Sequence, residues 1–406
     1  MRTILVSAYA CEPIKGSEPA VGWNWVIQLA QKNIVHVITR INNQEPIENN
    51  LPKDLITNIF FHYYDSPMFI RRLKRGDKGL YFYNLCWQIG IVPLAKKITK
   101  QYNINYTIHL TFGSMWMPTF LPLLKIPFIW GPIGGGECVP CSFIQILPWK
   151  QKIIQLLRYC LNATTIINPL ILLPSWKAKV ILVRTPNTQK AIPFFFKKKT
   201  RVLLETAMDE QIFARKKKDN NSDVVNMIIS ARLISIKNIP IVIRSLKYIN
   251  TDEKWQLTII GSGPDLHIIN EEIRKYHYTN VKIIPFMPRE ESLEQIESSD
   301  IFIFPSLKEG GSWALMEAMA IGIPVICLNW AGMAVETDEK SAIQLPVTNP
   351  KQMEKDMGEA INRLINSLEL RIKMGIAGRK RIKEIFNWDA KGVFMEKLFS
   401  ELDNDK

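Results

Sequence analysis

The sequence predicts an α/β protein of two doubly wound parallel-sheet units. Three observations carry that reading. A chain of 406 residues is too long for one ordinary hydrophobic core and fits two of about 200 residues each. Apolar strand-like runs alternate with helical stretches, and the alternation stops and restarts near the middle of the chain. The residues that look chemically useful fall just after strand-like runs, where open α/β sheets bind ligands.

Taken in order, TILVSAYA at 3–10 reads as a buried first strand, followed by a helix over 21–31. VHVITR at 35–40, IFFHYY at 59–64, YTIHLTF at 106–112 and FIWGP at 128–132 supply further strands. ARKKKDNNSD at 214–223 is polar and without periodicity, so it reads as an interdomain linker or exposed loop. Beyond it come VVNMIISA at 224–231, WQLTIIGSG at 255–263, VKIIPF at 281–286, DIFIFPS at 300–306 and IPVICLN at 323–329. The expected division is a first domain over 1–205, a second over 206–383, and a final amphipathic helix within 384–406.

Hydrophobic residues at 47% and charged residues at 22% are those of a folded globular chain. No stretch offers 18 clean apolar residues and the N-terminus lacks the form of a signal peptide, so a cytoplasmic protein is expected. Six scattered cysteines read as reduced core thiols. Cys138 and Cys141 form a lone CxxC without the second pair or histidines that zinc needs.

The net charge of +14 is divided unequally. Residues 1–205 hold 25 Lys and Arg against 9 Asp and Glu, while residues 206–406 hold 27 against 29. A negatively charged partner for the first domain follows. No nucleic-acid motif accompanies the basic residues, so nucleic acid is not expected. In the segment 69–97, cations bracket aromatic and aliphatic residues with Asn84 and Gln88 one helical turn apart. It reads either as a helix on an anionic membrane surface or as a buried helix beneath a basic loop. Phe194-Phe195-Phe196-Lys197-Lys198-Lys199 carries the same ambiguity.

The segment KEGGSWALMEAMAIGIPVI, 308–326, places Glu309 and Glu317 eight positions apart across a strand-to-helix turn. Ser312 fits the helix N-cap, and the amides near Trp313, Ala314 and Leu315 then favour an anion such as a phosphate. Gly310 and Gly311 admit a close approach to the backbone. Carboxylates are poor neighbours for phosphate, so Glu309 and Glu317 suit hydroxyl groups on either side of it, as in a sugar joined through a diphosphate to a ribose. Two helix-terminus interactions of about 1 kcal/mol each do not neutralise a diphosphate. Arg232 and Lys237, in SARLISIKN after a strand, are the candidate cations, at roughly 1.5–3 kcal/mol per charge-assisted hydrogen bond.

Glu309, seven residues, Glu317, then Ala318-Met319-Ala320 and Gly322-Ile323-Pro324-Val325, resembles the E-x7-E signature of glycosyltransferase family 4, the retaining GT-B enzymes. SAYACEPIKGSEPAVGWNW at the N-terminus and FIWGPIGGGE at 128–137 resemble one branch of that family, and the three motifs run in the family's order. The resemblance implies a GT-B fold, two Rossmann-like domains facing across a cleft, with retention of configuration. It implies that Glu309 holds donor-sugar hydroxyls and Glu317 the ribose. It implies a histidine near the reacting sugar, matched by His109, and a final helix that returns to the first domain. Ala231 and Asn238 stand where the family's G-R-L-x3-K-G pattern has glycines, and Ala331 where relatives have one of two adjacent glycines.

Gly261-Ser262-Gly263 is not a dinucleotide fingerprint, because Leu266 occupies the third glycine's position. In the resemblance Gly261, Gly263 and Phe286 line the nucleotide pocket; Phe286 reads equally as core. Gly16, Ser17 and Glu18, with Gly135 and Glu137, are the candidate acceptor-side loops. The one D-x-D, Asp403 to Asp405, reads as a frayed solvated tail, and no metal site is expected.

The expected activity is transfer of a sugar from a UDP- or GDP-linked donor to a lipid-linked or glycan acceptor, in cell-surface polysaccharide assembly. No cofactor is needed beyond that donor. The rival from another class is a non-catalytic membrane or nucleic-acid binding protein on the same scaffold.

Overall fold

A computed structural model describes residues 1–74, 76, 79–218 and 223–404. Contacts divide the chain into two compact units. The first comprises Met1–Gly136, Cys160–Glu205 and Trp388–Lys406; the second comprises Glu137–Tyr159 and Thr206–Asn387. Residues 137–159 therefore group with the second unit, although the sequence division at 205 assigns them to the first.

The first unit holds seven strands: β1 (Thr3–Ser7), β2 (Ile34–Thr39), β3 (Ile59–Tyr63), β4 (Tyr106–His109), β5 (Phe128–Ile133), β6 (Ala178–Val183) and β7 (Thr200–Val202). All pair in parallel, in the order β3-β2-β1-β4-β5-β6-β7. Covered on both faces, the central strands are buried along almost their whole length, which is why they read as unbroken apolar runs. Trp87, Trp130 and Phe128 anchor the core.

Helix Leu80–Gln101 turns Asn84 and Gln88 into that core, both fully buried, and exposes Tyr81, Phe82 and Ile89. The buried-helix reading of 69–97 thus holds for its inner face. Arg75, Asp77 and Lys78 of this segment lie outside the described residues.

Helix Trp388–Asn404 belongs to the first unit, where Gln28 donates to Asp389 at 3.1 Å. Asp403 is not a frayed carboxylate: Arg2 Nε donates to it at 2.7 Å and the Tyr106 hydroxyl at 2.6 Å. Asp405, its partner in the D-x-D, lies outside the described residues.

The second unit holds β8 (Val224–Ser230), β9 (Lys254–Ile260), β10 (Val281–Ile284), β11 (Ile301–Phe304), β12 (Val325–Leu328) and β13 (Ala342–Leu345), in parallel order β10-β9-β8-β11-β12-β13. Helix Trp313–Ile321 crosses from β11 to β12 and ends at Gly322, whose φ of 99° is the left-handed turn that glycine takes without strain. The expected linker at 214–223 falls inside the second unit rather than between the two. Lys217 pairs with Asp300 at 2.9 Å, and Arg379 donates to the carbonyls of Phe213 and Arg215, so 213–217 is fastened to the second unit. Residues 219–222 fall outside the description. Of the six cysteines, Cys11, Cys138 and Cys327 are buried, whereas Cys141 and Cys160 are exposed, so the expectation of core thiols holds for half of them.

Candidate functional site

In the second sheet the strand order reverses at β8, whose neighbours are β9 and β11. Successive connections leave to opposite sides at such a point and open a crevice at the strands' carboxyl ends. The chain after β8 carries Arg232 and Lys237; the chain after β11 carries Ser306 and Glu309. The two loops are stitched together by Leu307 N–H donating to Ile236 O at 2.8 Å.

At this place four side chains converge. Lys237 Nζ donates to Glu309 Oε1, and the Ser306 hydroxyl donates to the same oxygen at 2.6 Å. The Lys237 ammonium also lies 4.9 Å from the centroid of the Phe304 ring, which holds it from one side. Arg232 is exposed and forms no ion pair with the described residues. Its loop is shaped by Asn238, at φ 54°. Asparagine tolerates this left-handed conformation better than other non-glycine residues, so it can stand where the resemblance expects glycine.

Ser312 caps helix Trp313–Ile321 as the sequence predicts, its hydroxyl accepting from Leu315 N–H at 3.3 Å. Not all the amides expected to meet an anion are open. Leu315 is taken by that cap, and Ser312 N–H donates to the buried carboxylate of Glu336. Trp313 and Ala314 are left as first-turn donors without an intrahelical acceptor. Glu336, from short helix Met333–Glu336, was not legible as part of the site. Gly332 N–H donates to Glu309 O at 3.1 Å, and a Cβ on Gly332 would sit 2.0 Å from Gly310 O, so this loop clamps the Glu309-Gly310-Gly311 turn. Its neighbour Ala331 takes φ 51°, the conformation that the glycine expected there would adopt freely.

Glu317, one turn into the helix, is 7% exposed. Arg289 donates to Glu317 Oε1 through Nη2 at 2.6 Å and Nε at 2.9 Å. Burial pushes the Glu317 carboxyl above the ordinary carboxylate range, with the guanidinium pulling the other way. Arg289 opens helix Arg289–Glu297, three residues beyond Phe286. Phe286 is 77% exposed, which removes the reading of it as core.

Beside this pair lies a cavity of about 550 Å³, bordered by Arg289, Trp313, Met208 and Ile212. Around it Arg215 pairs with Glu290 and Glu297, and Lys218 with Glu297, and its lining includes none of Arg232, Lys237 or Glu309.

Gly261 and Gly263 support the site from behind. A Cβ on Gly261 would lie 1.9 Å from Ala231 O, and one on Gly263 2.3 Å from Leu233 O. The missing side chains make room for the backbone of the Arg232 loop, which Leu233 N–H fastens to Ser262 O at 2.9 Å. Lys308, next to Glu309, is a further residue the sequence reading passed over. Burial lowers its ammonium to about 8, helped by Arg158 and opposed by Glu137, Cys138 and Glu309. Glu137 is buried in the second unit rather than presented on an open loop.

The other first-domain candidates are held by contacts within their own unit. His109 ends β4 and is fully buried; burial pulls its imidazole down to about 4, so it is neutral near pH 7. Its only other influence is a backbone hydrogen bond with Phe112, which opposes the lowering. Glu18 is engaged locally: Gly113 N–H donates to it at 3.3 Å, and Arg184 lies 3.9 Å away while pairing with Glu205 at 3.2 Å. Gly16 is in open space, and Ser17, at φ 63°, starts helix Glu18–Ala30 without capping it. Gly135 O accepts from Trp116 Nε1 at 3.0 Å. Arg184 and Glu205 were not singled out in the sequence. Among the described residues no group of three or more His, Cys, Asp or Glu side chains is placed to hold a metal ion.

Residues 210–381 match the family model for glycosyl transferases, group 1. The matched segment contains all six strands of the second sheet and every donor-side residue from Arg232 to Glu317. A capsular polysaccharide biosynthesis glycosyltransferase of Staphylococcus aureus is 28% identical over 169 residues, 41% of this chain and 43% of that protein. The chain spans about half the length of the curated relatives it matches. A glycosyltransferase structure from Rickettsia africae superposes with a TM-score of 0.63 at 14% identity, covering 100% of this chain and 99% of that one. The HepE protein of Anabaena, solved in complex with UDP and glucose, gives a TM-score of 0.56 at 12% identity, covering 99% and 100%. The fold class is accordingly GT-B, two parallel-sheet α/β units of seven and six strands.

Proposed function

We propose that this chain is a glycosyltransferase that moves a sugar from a nucleoside diphosphate to a hydroxyl of a lipid-linked or glycan acceptor, with retention at the anomeric carbon. The observation that carries the reading is the convergence of Lys237, Glu309 and Ser306 in the β8–β11 crevice beside the capped end of helix Trp313–Ile321. Glu309 has lone pairs left for sugar hydroxyls after accepting from Lys237 and Ser306. Lys237 has three donors, so it can turn one to a phosphate oxygen while keeping its carboxylate. Arg232 and the amides of Trp313 and Ala314 add charge where the diphosphate departs.

As the bond from the anomeric carbon to the diphosphate breaks and the bond to the acceptor oxygen forms, negative charge grows on the leaving phosphate, whose oxygen takes the acceptor hydroxyl's proton. Cations held in place before that moment stabilise the transition state more than the bound donor. This assigns charge compensation to the chain's own groups and makes turnover insensitive to chelators. Glu317 and Phe286 are assigned the nucleoside, the carboxylate accepting from ribose hydroxyls and the exposed ring stacking on the base. The S. aureus relative's role in capsular polysaccharide biosynthesis and the UDP in the Anabaena structure support a UDP-linked donor and a surface-polysaccharide pathway.

The test is release of free nucleoside diphosphate from a panel of UDP- and GDP-sugars, with and without EDTA, by wild type and Lys237→Ala. The proposal expects release from at least one donor, unchanged by EDTA and lowered about 100-fold or more in the variant. No release from any donor, or equal release by the variant, overturns it.

A further inference from the structure

Helix Trp149–Thr164 is amphipathic the wrong way round for a helix in water. A surface helix normally buries its apolar stripe and shows its polar face. Here the single buried residue is Gln155, whose Oε1 accepts from Val139 N–H at 3.2 Å, and Tyr159 donates to Val139 O at 2.8 Å. The inward face is thus held by polar contacts. The outward face carries Trp149, Ile153, Leu156, Leu157 and Leu161, at i, i+4, i+7, i+8 and i+12, and each is 47–66% exposed. These spacings fall on one stripe of an α-helix.

The charge along the chain that carries the stripe has one sign. Residues 138–204 contain eleven Lys and Arg and no Asp or Glu. Lys150 lies over the Trp149 ring at 5.6 Å from its centroid. On the next helix, Pro169–Lys177, Trp176 is 61% exposed with Lys177 over its ring at 4.1 Å. No single helix among the described residues is long and apolar enough to cross a membrane; Trp149–Thr164 and Pro169–Lys177 reach that length and apolarity only together, bent by 51°. A charged, one-sided apolar stripe of this kind suits a helix lying in a membrane interface.

We infer that this face docks on an anionic lipid bilayer, with the Trp149–Leu161 stripe in the acyl boundary and the flanking lysines among acidic headgroups. A second copy of the chain fits poorly, because pairing two such faces would bring together two acid-free, cationic segments. A bilayer supplies both an apolar layer and negative charge, and exposed tryptophans beside lysines suit its interfacial zone. The inference stands apart from the donor-site reading, since none of these residues lies in the β8–β11 crevice. The stripe is distinct from the segment 69–97, whose Asn84 and Gln88 face the core while Tyr81, Phe82 and Ile89 are exposed.

The experiment is co-sedimentation of the full chain with vesicles of phosphatidylglycerol and phosphatidylcholine, and with pure phosphatidylcholine. Leu156→Glu/Leu157→Glu and Lys150→Glu/Lys177→Glu are run beside wild type, each checked for an unchanged unfolding temperature and unchanged nucleotide binding. Should Leu156→Glu/Leu157→Glu unfold, Trp149→Ser takes its place. Wild type is expected to pellet with the anionic vesicles and not with the neutral ones. The apolar variant should lose binding by about tenfold or more, and the charge variant should lose its preference for anionic lipid. No pelleting of wild type, an apolar variant that pellets equally, or a vesicle-free self-association abolished by Leu156→Glu/Leu157→Glu overturns the inference. Failure of vesicle binding with nucleotide binding intact would leave the donor-site reading untouched.

Discussion

Arg289 closes on Glu317 with two nitrogens, at 2.6 and 2.9 Å from one carboxylate oxygen. The carboxylate is nearly buried, while 61% of the arginine side chain remains exposed. A group that shields a buried charge from the solvent side is placed to swing away when another donor arrives. In the proposed function that donor is a ribose hydroxyl pair.

Removing the guanidinium leaves a buried carboxylate without its counter-charge. Arg289→Ala should lower stability by about 1–2 kcal/mol at pH 7, less than for a fully buried pair because the arginine faces solvent. Glu317 has a folded-state pKa above its unfolded value, so its ionised form costs stability and the cost fades as pH falls through the folded value. The variant's deficit should therefore shrink toward pH 4.5, and Glu317→Gln in the same background should abolish that pH dependence. Denaturant titrations at pH 7 and pH 4.5 measure both.

Lys237→Arg should keep more turnover than Lys237→Ala, because the charge survives while a planar guanidinium cannot reproduce the ammonium's contacts to both Glu309 and phosphate. Glu309→Gln should impair turnover more than nucleotide binding, since Glu309 is assigned to the sugar. Kinetics and nucleotide titration on the same preparations separate the two effects.

Gly261→Ala forces a Cβ to 1.9 Å from Ala231 O and should cost about 1–3 kcal/mol while displacing the Arg232 loop. Asn238→Ala places an alanine at φ 54° and should cost about 1 kcal/mol. Asn238→Gly should be close to neutral. Thermal unfolding of the three variants tests the account of the loop independently of any ligand.

His109, held neutral with a folded pKa of about 4 by burial, must be protonated in an unfolded chain below about 6.5. Its contribution is fully present above pH 6.5 and is lost as pH falls through that value toward 4, worth about 3 kcal/mol at most. His109→Asn should flatten the stability curve across that window. Equal slopes for wild type and variant would show that the ring is not held neutral.

Much of this was legible because buried parallel strands announce themselves as apolar runs. Every strand foreseen, from TILVSAYA to IPVICLN, forms. The strands passed over have physical reasons to be quiet. β7 is three residues long, β13 alternates with Gln344, and β6 follows directly on the apolar helix Pro169–Lys177 with no turn residue between them. In the site, Lys237, Glu309 and Ser312 could be read from the charge needs of a diphosphate next to a helix end. Arg289 and Glu336 could not, because each reaches the site from a different strand's carboxyl end and has no spacing relation to Glu317 or Ser312. His109 was placed by its strand end and by resemblance and Glu137 by its glycine-rich loop, and their burial depends on what packs over them, which periodicity does not encode.

The central claim is a nucleotide site in the second unit. Calorimetric titration of wild type and Glu317→Ala with UDP, GDP and ADP tests it most directly. The account predicts micromolar binding of one nucleotide, UDP by the proposed donor, weakened at least about tenfold in Glu317→Ala, the loss of one charged hydrogen-bond acceptor. Binding of no nucleotide, or binding that Glu317→Ala leaves unchanged, would contradict it.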